Sequence, residues 1–222
     1  MSYEDKYIAL SNAYGGTVRS ASVNAMKQLL SDGFADSPSY YQIMLNSSAT
    51  PVDMQIIDDS ESKEQKVSIV QSNVAYTFGD YVHWNGSVWL TVMLDDMGGI
   101  YKRGVIKRCF SSIKWTDNNV VNEAYFTYKS ETIRSGSGIR YGEVIMPNEQ
   151  RYLFVQNNPD TQKIQKDQRF FIDGRAWKTN GIDRLETGLI YLSLEEDLIN
   201  TATDDTTNRI ASSPGISGGG LW

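Results

Sequence analysis

The stretch Gly79-Asp80-Tyr81-Val82-His83-Trp84-Asn85-Gly86-Ser87-Val88-Trp89-Leu90-Thr91-Val92 decides the fold. Two runs rich in β-branched and aromatic residues flank Asn85-Gly86. An Asn-Gly pair accepts the consecutive positive φ angles of a type I′ turn, so the segment is a β-hairpin. The same grammar returns in Lys166-Asp167-Gln168-Arg169-Phe170-Phe171-Ile172-Asp173-Gly174-Arg175-Ala176-Trp177-Lys178-Thr179. Each copy has a tryptophan three residues after the turn glycine, Trp89 or Trp177. Beyond each hairpin come Asp95 or Asp183, a glycine-containing turn, and Ile100-Tyr101 or Ile190-Tyr191. Gly86 and Gly174 are 88 residues apart, Tyr101 and Tyr191 90. Repeated order of this kind predicts two related β-barrel-like modules.

Short strands are also expected at Tyr40–Leu45, Val52–Ile57, Lys66–Val70 and Val120–Tyr128, with one or two more between Ile100 and Trp115. Upstream, Ser2 to Tyr14 reads as a short helical segment. A firmer helix follows Gly15-Gly16, with Thr17 as its N-cap and Val18, Ala21, Ala25, Leu29 and Leu30 at helical spacing. Asp32-Gly33 should end it, the glycine taking a left-handed C-terminal position. The chain is therefore expected to be mainly β, with two small β-barrel-like modules, an N-terminal helix and an extended C-terminal tail. The expected boundaries are 1–35 for the helical segment, 36–133 and 134–200 for the two β modules, and 201–222 for a flexible docking tail. The flexible basic stretch Arg134 to Gly142, RSGSGIRYG, marks the expected module boundary.

Composition narrows the function. The 222 residues carry a formal charge of -6, which argues against a general nucleic-acid binder. One cysteine and one histidine rule out an internal disulfide and make a zinc site implausible. His83 lies in an alternating strand with no GxSxG elbow in the chain, so it reads as a strand histidine rather than a catalytic base. Cys109 beside Phe110 reads as core. The acidic pairs Asp58-Asp59, Asp95-Asp96, Glu195-Glu196-Asp197 and Asp204-Asp205 fall at turns and strand ends and lack EF-hand spacing. No glycine cluster has a phosphate-loop frame. The expectation is thus no enzyme, no cofactor and no metal. The polar segment MSYEDKYIAL does not read as a signal peptide, and no apolar run reaches the roughly 20 residues of a membrane helix. These features lead to the expectation of a soluble protein made in a cytoplasm.

Two features suggest contact rather than chemistry. The tail, TATDDTTNRIASSPGISGGGLW, has too few apolar residues to fold alone. It nonetheless offers Ile210, Ile216, Leu221 and Trp222 as candidate subunit-interface anchors. Arg134 and Arg140 flank the SGSG loop and are candidates for contact with a neighbouring subunit or a DNA channel. Lys102, Arg103, Lys107 and Arg108 form a second basic group, read as a solvated strand face paired to surplus acids.

The opening Tyr14-Gly15-Gly16-Thr17-Val18-Arg19, with Ser22 and Asn24, resembles the start of small structural proteins of tailed phages of Gram-positive bacteria. The Gly79-Asp80-Tyr81-Val82 strand, the Trp84-Asn85-Gly86 hairpin with Trp89-Leu90, and the later Arg169-Phe170-Phe171-Ile172-Asp173-Gly174 resemble their β-barrel core. The resemblance spans most of residues 14 to 194 and stops before the tail. It implies a head-tail connector (neck or head-closure) protein of the virion, assembled in the host cytoplasm. Such a protein works as a homo-oligomeric ring between portal or adaptor proteins and tail proteins, with transient contact to packaged DNA and none to membrane. The alternative is a tail-tip, baseplate or capsid-decoration protein. A glycan-binding or carbohydrate-active protein ranks lower, because Trp84, Trp89 and Trp177 sit in strand patterns that favour core packing.

Overall fold

The computed structural model describes residues 2–13, 16–59, 62–117, 120–128 and 150–212. The chain is mainly β and divides into two compact units, Met1–Arg108 and Cys109–Trp222.

The first unit opens with helices α1 (Tyr3–Ala13) and α2 (Val18–Gly33). The Thr17 side chain caps α2 by accepting the Ser20 N–H at 3.1 Å. The helix ends without a left-handed glycine: Phe34 caps it at φ -64°. None of its residues is buried, so its apolar positions do not enter a core.

Six strands follow: β1 (Tyr40–Leu45), β2 (Pro51–Asp58), β3 (Gln65–Gln71), β4 (Tyr81–Trp84), β5 (Ser87–Asp96) and β6 (Tyr101–Arg108). They close into a barrel in the order β1-β2-β3-β6-β5-β4. The closing seam is short, with Met44 opposite His83 and Leu45 opposite Val82. Asn46 reinforces it. Its backbone N–H donates to the Tyr81 carbonyl at 2.8 Å, and its side-chain oxygen accepts the Tyr81 N–H at 2.9 Å. Alternation places Ile43, Leu45, Met54, Ile56, Val70, Val82, Trp89 and Ile106 in one core.

The second unit has β7 (Ser111–Asp117), β8 (Val120–Tyr128), β9 (Gln150–Gln156), β10 (Arg169–Ile172), β11 (Arg175–Asp183) and β12 (Leu189–Asp197). Their order is β10-β11-β12-β9-β8-β7, with edge strands β7 and β10 next to each other. Read from β7, this is the path of the first barrel. The expected pair of related modules is therefore present in the topology.

The equivalence extends to single residues. Asn85-Gly86 and Asp173-Gly174 both turn on consecutive positive φ angles, 50° and 68° against 55° and 73°. Thr91 faces Ile106 as Thr179 faces Leu194. The ladder slips between Thr91 and Met93 in one sheet and between Thr179 and Gly181 in the other. Thr91 exchanges backbone hydrogen bonds with Gly79 and Asp80, and Thr179 does so with Asp167 and Gln168. Each of these pairs stands 88 residues apart. Register then places β3 against β9 at an offset of 85, β2 against β8 at 72 and β1 against β7 at 70. Ile43 thus matches Ile113, Met54 matches Phe126 and Val70 matches Val155, all buried.

This alignment moves the expected boundary. The structural division falls at Arg108/Cys109, not in the stretch 134–142. That stretch lies between β8 and β9, the place held in the first module by the charged loop between β2 and β3. Polar, glycine-rich composition does not distinguish the interior of a module from its boundary, because an insertion and a linker share that signature.

Candidate functional site

The residues that follow β12 form a strap over the second module. Its anchor is Arg169, the first residue of β10, whose side chain is 7% exposed. The guanidinium donates to both Asp204 carboxylate oxygens, at 2.8 and 3.0 Å, and through Nε to Asp197 at 2.6 Å. It also donates to the Leu198 carbonyl at 2.6 Å and the Ser212 carbonyl at 2.9 Å. Asp204, with its side chain 0% exposed, accepts the N–H groups of Asn200 and Ser212 at 2.8 and 2.9 Å. Burial alone would push the Asp204 carboxyl up. The guanidinium and the two amides outweigh it and hold the carboxyl below its usual range.

The strap then crosses the seam. Asp205 and Ile210 exchange two backbone hydrogen bonds, and Arg209 takes a positive φ of 60°. The Arg209 side chain reaches Ser111 and Ser112 of β7, at 3.4 and 3.2 Å. Ala211 packs on Phe171 and Ala176. One segment thus touches the outer side of β10, β11 and β7, where the sheet meets itself.

Residues 201–212 were expected to begin a flexible docking tail; they are folded onto their own module. Their apolar content is indeed too low to hold them. A buried, multiply bonded ion pair does it instead, and no hydrophobic pattern advertises such a pair. Ile210 is half-buried and paired to Asp205. Ile216, Leu221, Trp222, Arg134 and Arg140 lie outside the described residues.

Among the described residues, the first module has no strap. Only Cys109 and Phe110 separate β6 from β7. The corresponding place is an open groove of about 330 Å³, lined by Tyr41, Gln42, Ile43, His83, Trp84 and Asn85. Tyr41 and Trp84 meet edge to face at 5.4 Å.

The remaining expected positions disperse. Trp89 and Trp177 are buried, and Trp84 is half-buried against the first core. Lys102 donates to the carbonyls of Val74 and Tyr76, at 2.7 and 3.2 Å. Lys107 is buried, which lowers its amine pKa, while Arg103 and Arg108 are exposed. These four do not make one basic strip. Cys109 is half-buried, and burial pushes its thiol up to about 12. Among the described residues, no group of three or more His, Cys, Asp or Glu side chains could hold a metal ion. No helix is long and apolar enough to cross a membrane among those residues.

Residues 111–195 match the YomX C-terminal domain. The match covers less than half of the chain, and its family name is phage-derived. It begins at the first residue of β7 and ends within β12, so it coincides with the YomX-like second module and stops before the strap. No curated protein and no solved structure matches the chain.

Proposed function

We propose that this chain is a structural subunit of a tailed-phage particle, located in the neck, where copies form a ring between the DNA-filled head and the tail. The observation that carries this reading is the coincidence of the phage-derived match with one six-stranded, barrel-like module, whose strand order the chain repeats. Each barrel-like module presents its own surface, and repeated interfaces between copies build affinity without chemistry. On this reading the chain is not an enzyme and needs no cofactor. Its partners are further copies of itself, the portal or an adaptor on the head side and tail proteins on the other. The net charge of -6 suits a wall past which DNA slides without being held.

Gold-labelled antibodies against the chain, imaged on intact virions, test the location. Label at the head-tail junction is the expected result. Label confined to the capsid shell or the distal tail tip overturns the neck assignment and favours a decoration or tail-tip role.

A further inference from the structure

The two modules share one topology and differ at the seam. In the YomX-like module, Ser111 and Ser112 receive Arg209, and Phe171 is covered by Ala211. The register matches these residues to Tyr41, Gln42 and His83 of the first module. Those are residues of the open groove. The matched position thus holds a turn-forming segment in one module and is open in the other. The β6–β7 connection cannot supply such a segment, because two residues are too few to leave β6, cross the seam and begin β7.

We propose that this groove is a docking slot for a peptide segment, and that its occupant is the stretch 213–222 of a second copy of this chain. The strap delivers that stretch directly: Ser212 is fixed by Asp204 and Arg169 on the outer side of the YomX-like module. The stretch after it carries Ile216, Leu221 and Trp222 separated by small residues. Ten residues can span up to about 33 Å. The groove offers complementary surface, with the Tyr41 and Trp84 rings for an apolar side chain and Gln42 and Asn85 for peptide groups. Large aromatic anchors in small pockets dominate such contacts. The choice of a second copy, and not another protein, rests on the assembly reading above.

The test uses the full chain with a photoreactive benzophenone side chain at position 222, mixed with an isotope-labelled full chain before illumination. Cross-links between labelled and unlabelled copies at Tyr41–Met44 and His83–Asn85 are expected. Tyr41→Ala and His83→Glu, both on the surface of the groove, should each lower that yield at least tenfold with an unchanged circular dichroism spectrum. Cross-links elsewhere, cross-links within one chain, or no cross-links overturn the proposal. Yields that do not respond to either substitution overturn it too. The neck assignment fails separately: virions without label at the junction sink that reading while inter-chain cross-links at the groove persist.

Discussion

At the scale of single residues, the two modules solve one packing problem in two ways. In the first, Gly104 leaves room for a buried polar cluster. The Tyr76 hydroxyl bonds to Ser68 at 2.8 Å and accepts from Thr91 at 2.9 Å. The matched positions of the second module are Leu192, Leu153 and Ile164, with Thr179 matching Thr91. There the Thr179 hydroxyl has no partner. A Cβ on Gly104 would lie 2.7 Å from the Ser68 hydroxyl, 2.9 Å from that of Tyr76 and 3.1 Å from the Met93 carbonyl. Gly104→Ala should therefore cost about 1–3 kcal/mol in urea denaturation. Tyr76→Phe should cost about 1–2 kcal/mol by stranding its partners. The double substitution should cost less than the sum, because removing the hydroxyl relieves part of the clash. At the turns, Gly86→Ala and Gly174→Ala meet open space but positive φ, 68° and 73°. Each should cost about 1–2 kcal/mol, and the two should be alike if the turns are equivalent. Cys109 gives a chemical check. Its thiol is pushed up to about 12 by burial, so Ellman's reagent at pH 8 should react slowly with the native chain and rapidly in denaturant.

At the scale of elements, the strap depends on one ion pair. Arg169→Ala leaves the buried Asp204 carboxylate without its counter-charge and should cost about 3–5 kcal/mol, whereas Asp204→Ala should cost less, because Arg169 keeps Asp197. Limited proteolysis should then cut within 198–212, where the unaltered chain resists. The pH dependence has a definite sign. The folded Asp204 carboxyl lies below its ordinary value of 3.8. Its contribution is therefore complete above that value and is lost as pH falls through the lower folded one. Proteolysis of the strap by an acid protease should rise as the pH falls below about 4. The hairpins that organise these elements are readable from Asn85-Gly86 and Asp173-Gly174 because a type I′ turn restricts its residues so tightly. The strap is not readable in this way: Arg169 and Asp204 lie 35 residues apart, and no local periodicity links them.

At the scale of the whole molecule, the division at Arg108/Cys109 gives two units, each with its own core. A fragment beginning at Cys109 should fold on its own, with a β-type circular dichroism spectrum and one cooperative thermal transition. A fragment beginning at residue 134 should not, because it lacks β7 and β8, which bring Ile113, Trp115, Ala124 and Phe126 into the second core. The helices follow a different logic. Val18 is 83% exposed and Leu29 76%, although their spacing predicts a buried face. Periodicity states that a helix has an apolar side; it does not state that anything in the same unit covers it.

The sequence by itself determined the mainly β character, both hairpins, the Thr17 cap and the existence of a repeat. Each of these is local, set by turn chemistry, alternation or capping within a few residues. Tertiary structure alone decided where one module ends and the next begins. It also decided that residues 201–212 fold back, and that the seam is covered in one module and open in the other. Those outcomes depend on partners far apart in the chain, and on which buried charge finds its counter-charge. No short-range pattern encodes such choices.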